Sequence, residues 1–201
     1  MNIRTRSLLL LAIVGLSAAA DVPAARQLGS LQFTPCTLAA AGSAATESAY
    51  CARLSVPENR SAPAGRAIEL AVAFVPSRAR QPRPDPVFML AGGPGQSARE
   101  SFPTAAAAFG EVLRERHVVL VDQRGTGGSN LLACEGFAEA EVADAADVAA
   151  MRGFAERCLQ GLDADLRFYT TSDAVLDLEA VREAIGAAQV NLVGISYGTR
   201  V

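Results

Sequence analysis

The stretch NLVGISYGTRV, Asn191 to Val201, runs an apolar segment into a serine bracketed by glycines, Gly194-Ile195-Ser196-Tyr197-Gly198. A strand that turns sharply at such a point holds the serine hydroxyl exposed, and the flanking glycines let the backbone close up around it. The chemistry this supports is nucleophilic attack on an acyl carbon, with Ser196 as the nucleophile. On its own G-x-S-x-G is a weak pattern in a chain with 17 glycines. A second stretch, Ala91 to Gly95 (AGGPG), supplies what acyl transfer needs next. Attack places negative charge on the former carbonyl oxygen, and each backbone N–H aimed at it stabilises the transition state by about 3 kcal/mol. Gly92 and Gly93 leave the backbone bare enough to approach that oxygen, and the N–H of Tyr197 would be the partner donor.

A third glycine cluster, DQRGTGGS from Asp122 to Ser129, tempts a nucleotide-binding reading and fails it. Asn130 stands where G-x-G-x-x-G would need glycine, and no G-K-[ST] occurs anywhere in the chain. It reads as a tight turn beside the site, with Asp122 and Arg124 in structural roles, a pair between them being one option. His117 is the only histidine. It begins the strand that ends at Asp122, roughly 17 Å from the edge where Ser196 should sit, so it is expected at the wrong end to act as a base. Asp173, Asp177, Glu179 and Glu183 read as the solvated face of a helix.

The elements that must position these residues follow from periodicity. Ala52 to Val56 and Ala67 to Val75 read as a β-hairpin, the second strand alternating apolar Ile68, Leu70, Val72 and Phe74 with the residues between. Before them, Asp21 to Tyr50 is weakly patterned and is expected to be an extended lead-in. The Pro/Arg-rich segment Pro76 to Pro86 cannot continue a central strand. After Pro86 a unit of apolar strand followed by a glycine turn recurs: Val87–Leu90, His117–Asp122 and Val190–Val193 each lead into one of the three clusters. Strands without alternation are those buried on both faces of a parallel sheet. Helices are expected over Thr104–Arg114, Asp147–Leu159 and Ser172–Ile185. The last should be capped by Thr171 or Ser172, carry an apolar face of Val175, Leu178, Val181 and Ile185, and be ended by Gly186. The fold class is therefore α/β, an antiparallel hairpin followed by parallel strands with flanking helices. All three glycine turns lie at the carboxyl ends of strands, where open α/β sheets place their sites, so they should meet in space.

The N-terminus carries Arg4 and Arg6, an apolar run from Leu8 to Leu16 and Ala18-Ala19-Ala20, the layout of a secretory signal peptide over residues 1–20. The run is well short of the roughly 20 residues that span a bilayer. Export, to a periplasm or beyond the cell, makes disulfides the better reading of Cys36, Cys51, Cys134 and Cys158. They lack CxxC spacing, and with a single histidine a zinc site is not expected. Of the three connectivities, Cys36 with Cys51 and Cys134 with Cys158 closes two local loops. A net charge of -3 on 201 residues, half of them hydrophobic, gives no sign of disorder or of a nucleic-acid partner. No cofactor is implied.

AGGPG, then VDQRGTGGS, then GISYG, in this order and spacing, resemble the α/β-hydrolase fold peptidases of the prolyl iminopeptidase and tripeptidyl aminopeptidase kind, over roughly Ala52 to Val201. The resemblance implies Ser196 as nucleophile, Gly92 and Gly93 in the oxyanion hole, and a peptide with a free N-terminus as substrate. Prolyl iminopeptidases open the first turn with histidine where this chain has Ala91, which with the leader and the cysteines favours the exported tripeptidyl branch. In α/β-hydrolases the triad acid and histidine follow the serine. The expectation is thus an N-terminal part of a longer enzyme: signal peptide 1–20, lead-in and hairpin 21–85, and a core 86–201 that stops after the nucleophile turn and is inactive alone. The alternatives are an esterase or lipase-like hydrolase on the same scaffold, and a non-catalytic binding module.

Overall fold

A computed structural model of the chain describes residues 24–134 and 147–201. The leader at 1–20 lies outside the described residues, as does the segment 135–146. The strands among the described residues are β1 (Arg26–Leu28), β2 (Leu31–Ala39), β3 (Thr46–Pro57), β4 (Ala67–Val75), β5 (Val87–Leu90), β6 (Val118–Val121) and β7 (Asn191–Gly194). The α-helices among the described residues are α1 (Ala98–Ala105), α2 (Val148–Gly161) and α3 (Thr171–Ala184). The strands form one sheet in the order β1-β2-β3-β4-β6-β5-β7. β1 to β4 run as an antiparallel meander, β4 pairs antiparallel with β6, and β5 lies parallel between β6 and β7.

The hairpin forms as the alternation requires, with Leu54 opposite Leu70 and Val56 opposite Ile68. The lead-in is a correction: Arg26 to Tyr50 contributes β1, β2 and the first half of β3. Its pattern is weak because β2 mixes buried Leu31, Phe33 and Leu38 with exposed positions and carries Pro35. Proline is tolerated there because β1 pairs only as far as Phe33, so β2 has one neighbour at that point. Cys36 and Cys51 join β2 to β3 as a disulfide, and Cys134 joins Cys158 of α2, the expected pairings, with Cα separations of 5.8 and 5.3 Å.

β5 and β6 are buried at every position, as continuous apolar strands between two layers must be. On one face, Phe102 and Phe109 pack over Val87, Met89, Val118 and Leu120. On the other, Val181 of α3 packs among Phe33, Leu70, Val72, Phe74, Phe88 and Val119. β7 departs from this pattern: Leu192 is 61% exposed, because β5 is its one sheet neighbour among the described residues.

The helix expected over Thr104–Arg114 starts earlier and ends sooner. Ser97 caps α1 by accepting the Glu100 N–H, and the chain after Ala105 tightens into 3₁₀ turns at Ala106–Phe109 and Val112–Arg114. Pro103, with no N–H to give to the preceding turn, sits inside α1 just before this tightening. α2 begins at the Asp147 cap. α3 is capped one residue earlier than expected, by Thr170 in a capping box with Asp173, and Gly186 follows it at φ 74°. Its buried face is also shifted: Ala174, Asp177 and Val181 are buried while Val175 is exposed.

Candidate active site

The serine turn is built by its glycines. β7 runs to Gly194, Ile195 donates its N–H to the Leu90 carbonyl of β5 (3.0 Å), and Ser196 then turns at φ 53° into a 3₁₀ turn, Ser196–Arg200. Positive φ at a residue with a Cβ is strained and persists only where the surroundings enforce it. Here Gly198 donates to the Ile195 carbonyl (2.9 Å) and the Thr199 hydroxyl to the Ser196 carbonyl (2.7 Å). A Cβ at Gly198 would fall 2.3 Å from the Leu90 carbonyl oxygen, and one at Gly194 would fall 2.7 Å from the Gly198 carbonyl oxygen. Both glycines of G-x-S-x-G are therefore steric requirements of this turn, and the serine between them is exposed.

Gly198→Ala is expected to push the serine turn away from β5, lowering thermal stability and cutting Ser196-dependent hydrolysis by about a hundredfold, the scale of a displacement near 1 Å. Gly161→Ala, whose added methyl meets nothing within 4 Å, is the control. Equal activity of the two variants in steady-state assays of the full-length gene product would contradict the steric reading.

The three glycine turns do meet. A Cβ at Gly92 would lie 3.1 Å from both the Ile195 carbonyl oxygen and the Ser196 Cβ, so the first turn abuts the serine turn. Gly92, Gln123, Thr126 and Tyr197 line one cavity of about 160 Å³, bringing residues of all three clusters together. Gly93 is the next residue along, at φ 104°, and does not line that cavity. The Tyr197 hydroxyl lies 3.2 Å from that of Thr171 at the start of α3.

The DQRG turn is held by two separate buried carboxylates. Asp122 and Arg124 are not paired with one another. Arg124 binds Asp177 of α3 through two hydrogen bonds of 2.7 Å, both side chains 1% exposed. It also donates to the carbonyls of Glu58 and Phe168, and Arg60 adds a second cation to Asp177. Burial works against the Arg124 charge, but the Asp177 hydrogen bonds outweigh it and hold its pKa above the ordinary arginine value. Next to it Tyr169 donates to Glu58, and burial together with that carboxylate pushes its phenol up to about 12. Asp177 corrects the reading of a solvated acidic face: it is buried because it shares the inward face of α3 with Ala174 and Val181. Its spacing of three and four residues from those two was the signal in the sequence.

His117 sits at the other end of the sheet, immediately before β6, while Ser196 follows the carboxyl end of β7 in the same parallel set. Its Nδ1 accepts the Ser77 N–H (2.9 Å) and its ring stands edge-on to Phe74. Burial pushes its pKa below the usual imidazole value. Among the described residues no side chain hydrogen-bonds the Ser196 hydroxyl, and no group of three or more His, Cys, Asp or Glu is placed to hold a metal ion.

A mixed sheet whose parallel strands end in glycine turns, one of them around an exposed serine, is the layout of an α/β-hydrolase fold, and the family comparison agrees. The chain belongs to the α/β-hydrolase fold family, whose model matches residues 85–201. It is 31% identical over 166 residues to tripeptidyl aminopeptidases of Streptomyces coelicolor and Streptomyces lividans. These matches cover 74% of this chain and 30% and 31% of the two relatives, so the chain spans about three tenths of their length. A crystal structure of a proline iminopeptidase from Mycobacterium smegmatis aligns with a TM-score of 0.44 at 22% identity, covering 74% of this chain and 36% of that one.

Proposed function

We propose that this chain carries the nucleophile and part of the oxyanion hole of an exported serine aminopeptidase, which releases short peptides from a free N-terminus through an acyl-enzyme at Ser196. The observation that carries the reading is the exposed Ser196 at φ 53°, pressed against Gly92, with Gly92 and the next residue, Tyr197, lining one small cavity. In this reading the Ser196 oxygen attacks the scissile carbonyl. The charge that develops on the carbonyl oxygen is met by backbone N–H groups of the Gly92–Gly93 turn and of Tyr197. Support for a peptide substrate comes from the tripeptidyl aminopeptidase relatives. Support for export comes from the leader pattern at residues 1–20 and from the two disulfides.

A serine nucleophile needs a base, and the only histidine of these 201 residues lies at the far edge of the sheet. The base and its orienting acid are therefore assigned, in this reading, to sequence outside these 201 residues. Residues 1–201 alone should turn over little peptide or ester. The test is hydrolysis of tripeptide arylamides with free and with blocked amines by the full-length gene product and by residues 21–201. The expected result is turnover of the free-amine substrates by the full-length product only. Preference for blocked substrates or simple esters would favour an esterase, and robust Ser196-dependent turnover by residues 21–201 would overturn the assignment of the base.

A further inference from the structure

Asp122 closes β6 and is 1% exposed, a buried carboxylate that the proposed chemistry does not use. It accepts three hydrogen bonds: from the Ser97 hydroxyl at 2.7 Å, the Arg99 N–H at 3.1 Å and the Gly128 N–H at 2.9 Å. The Arg99 guanidinium stands 3.7 Å away as counter-charge. Ser97 ends the AGGPGQS turn and caps α1, so Asp122 grips that turn at its far end, while β5 holds the near end at Leu90. Between those two ends the turn has few hydrogen bonds of its own: Gly92 and Gln96 share one long bond of 3.4 Å, and Gly93 and Gly95 both have positive φ. The GTGG run is shaped around the same carboxylate. A Cβ at Gly127 would fall 2.4 Å from Asp122 Oδ2, and one at Gly128 would fall 2.8 Å from the Ala71 Cβ. Ser129, fully buried, then ties the run to β4 by accepting the Ala71 N–H (2.8 Å). The glycines that resemble a phosphate loop are thus there to let the chain wrap a carboxylate of its own.

We propose that Asp122 is a positioning residue, which clamps the Gly92–Ser97 turn to the end of β6 so that its amides are held against Ser196. The proposal rests on the reading of Ser196 as nucleophile and of this turn as part of the oxyanion hole. A preorganised donor acts only if it is fixed before the charge develops, and a glycine-rich turn without an anchor would sample many conformations.

The experiment uses the full-length gene product with Asp122→Asn. Ser97→Ala is the second variant; it removes one bond to the clamp together with the α1 cap bond from Glu100, and leaves the carboxylate with Arg99 and Gly128, which guards against a failure of Asp122→Asn to fold. Amide hydrogen exchange and the rate of fluorophosphonate labelling are read together, with kcat and KM for an arylamide substrate. The expected result is exchange about tenfold faster at Gly92–Ser97 than in the parent, with strand β4 unchanged. Labelling and kcat should fall about tenfold or more, with KM within about twofold. Exchange that rises no more at Gly92–Ser97 than across the molecule, or labelling unchanged in both variants, would overturn the proposal. Absence of labelling in the parent protein would remove the Ser196 assignment instead, and the exchange at Gly92–Ser97 would still decide whether Asp122 clamps the turn.

Discussion

Ser196→Ala is expected to abolish hydrolysis by the full-length gene product, lowering kcat by about 10⁴-fold or more while the fold is retained, because nucleophile removal takes the covalent route away entirely. The side chain is exposed and has no hydrogen-bond partner among the described residues, so its loss should leave thermal stability nearly unchanged. Replacement by alanine removes the oxygen and leaves φ 53° to be enforced as before by Gly194, Gly198 and Thr199. Steady-state kinetics beside a melting curve separate the two effects. A variant that keeps more than about a tenth of the parent activity would contradict the assignment.

The second large effect falls on stability. Asp177→Ala leaves Arg124 buried without its carboxylate and Arg60 without its partner, and removing one member of a buried pair costs about 3 to 5 kcal/mol. For a chain of this size that corresponds to a fall in Tm of about 10 °C. Function should suffer as well, since the pair ties the DQRG turn to α3, and Thr171 at the head of α3 meets the Tyr197 hydroxyl. Replacing both partners, Arg124→Met with Asp177→Leu, is expected to recover much of the loss, because the fully buried charge is then gone and only the partly exposed Arg60 lacks its partner. Denaturant titration of the parent and these two variants checks this. A cost below about 1 kcal/mol for Asp177→Ala would show that the pair is not the anchor its burial implies.

The site was more legible in the sequence than the scaffold around it, for a physical reason. Glycines that a turn requires stand out from any background, and three such clusters after three apolar strands fixed both the sheet edge and the meeting of the turns. Asp177 was misread because an acidic residue on a helix is usually solvated. Its spacing from Ala174 and Val181 pointed inward, but only the arginines from distant turns make that burial tolerable. β1 and β2 were missed because their residues do not alternate cleanly; β1 is ordered by pairing with β2, and β2 by pairing with β3 and by the Cys36–Cys51 bridge, which are tertiary effects. The early start of α1 depended on Ser97, which serves at once as helix cap and as donor to Asp122.

The most direct test of the central claim is to treat the full-length gene product with a fluorophosphonate and locate the adduct by peptide mass spectrometry. A single stoichiometric adduct on Ser196, absent from Ser196→Ala, is the predicted result. No adduct on a folded, active protein, or an adduct at another residue, would contradict it.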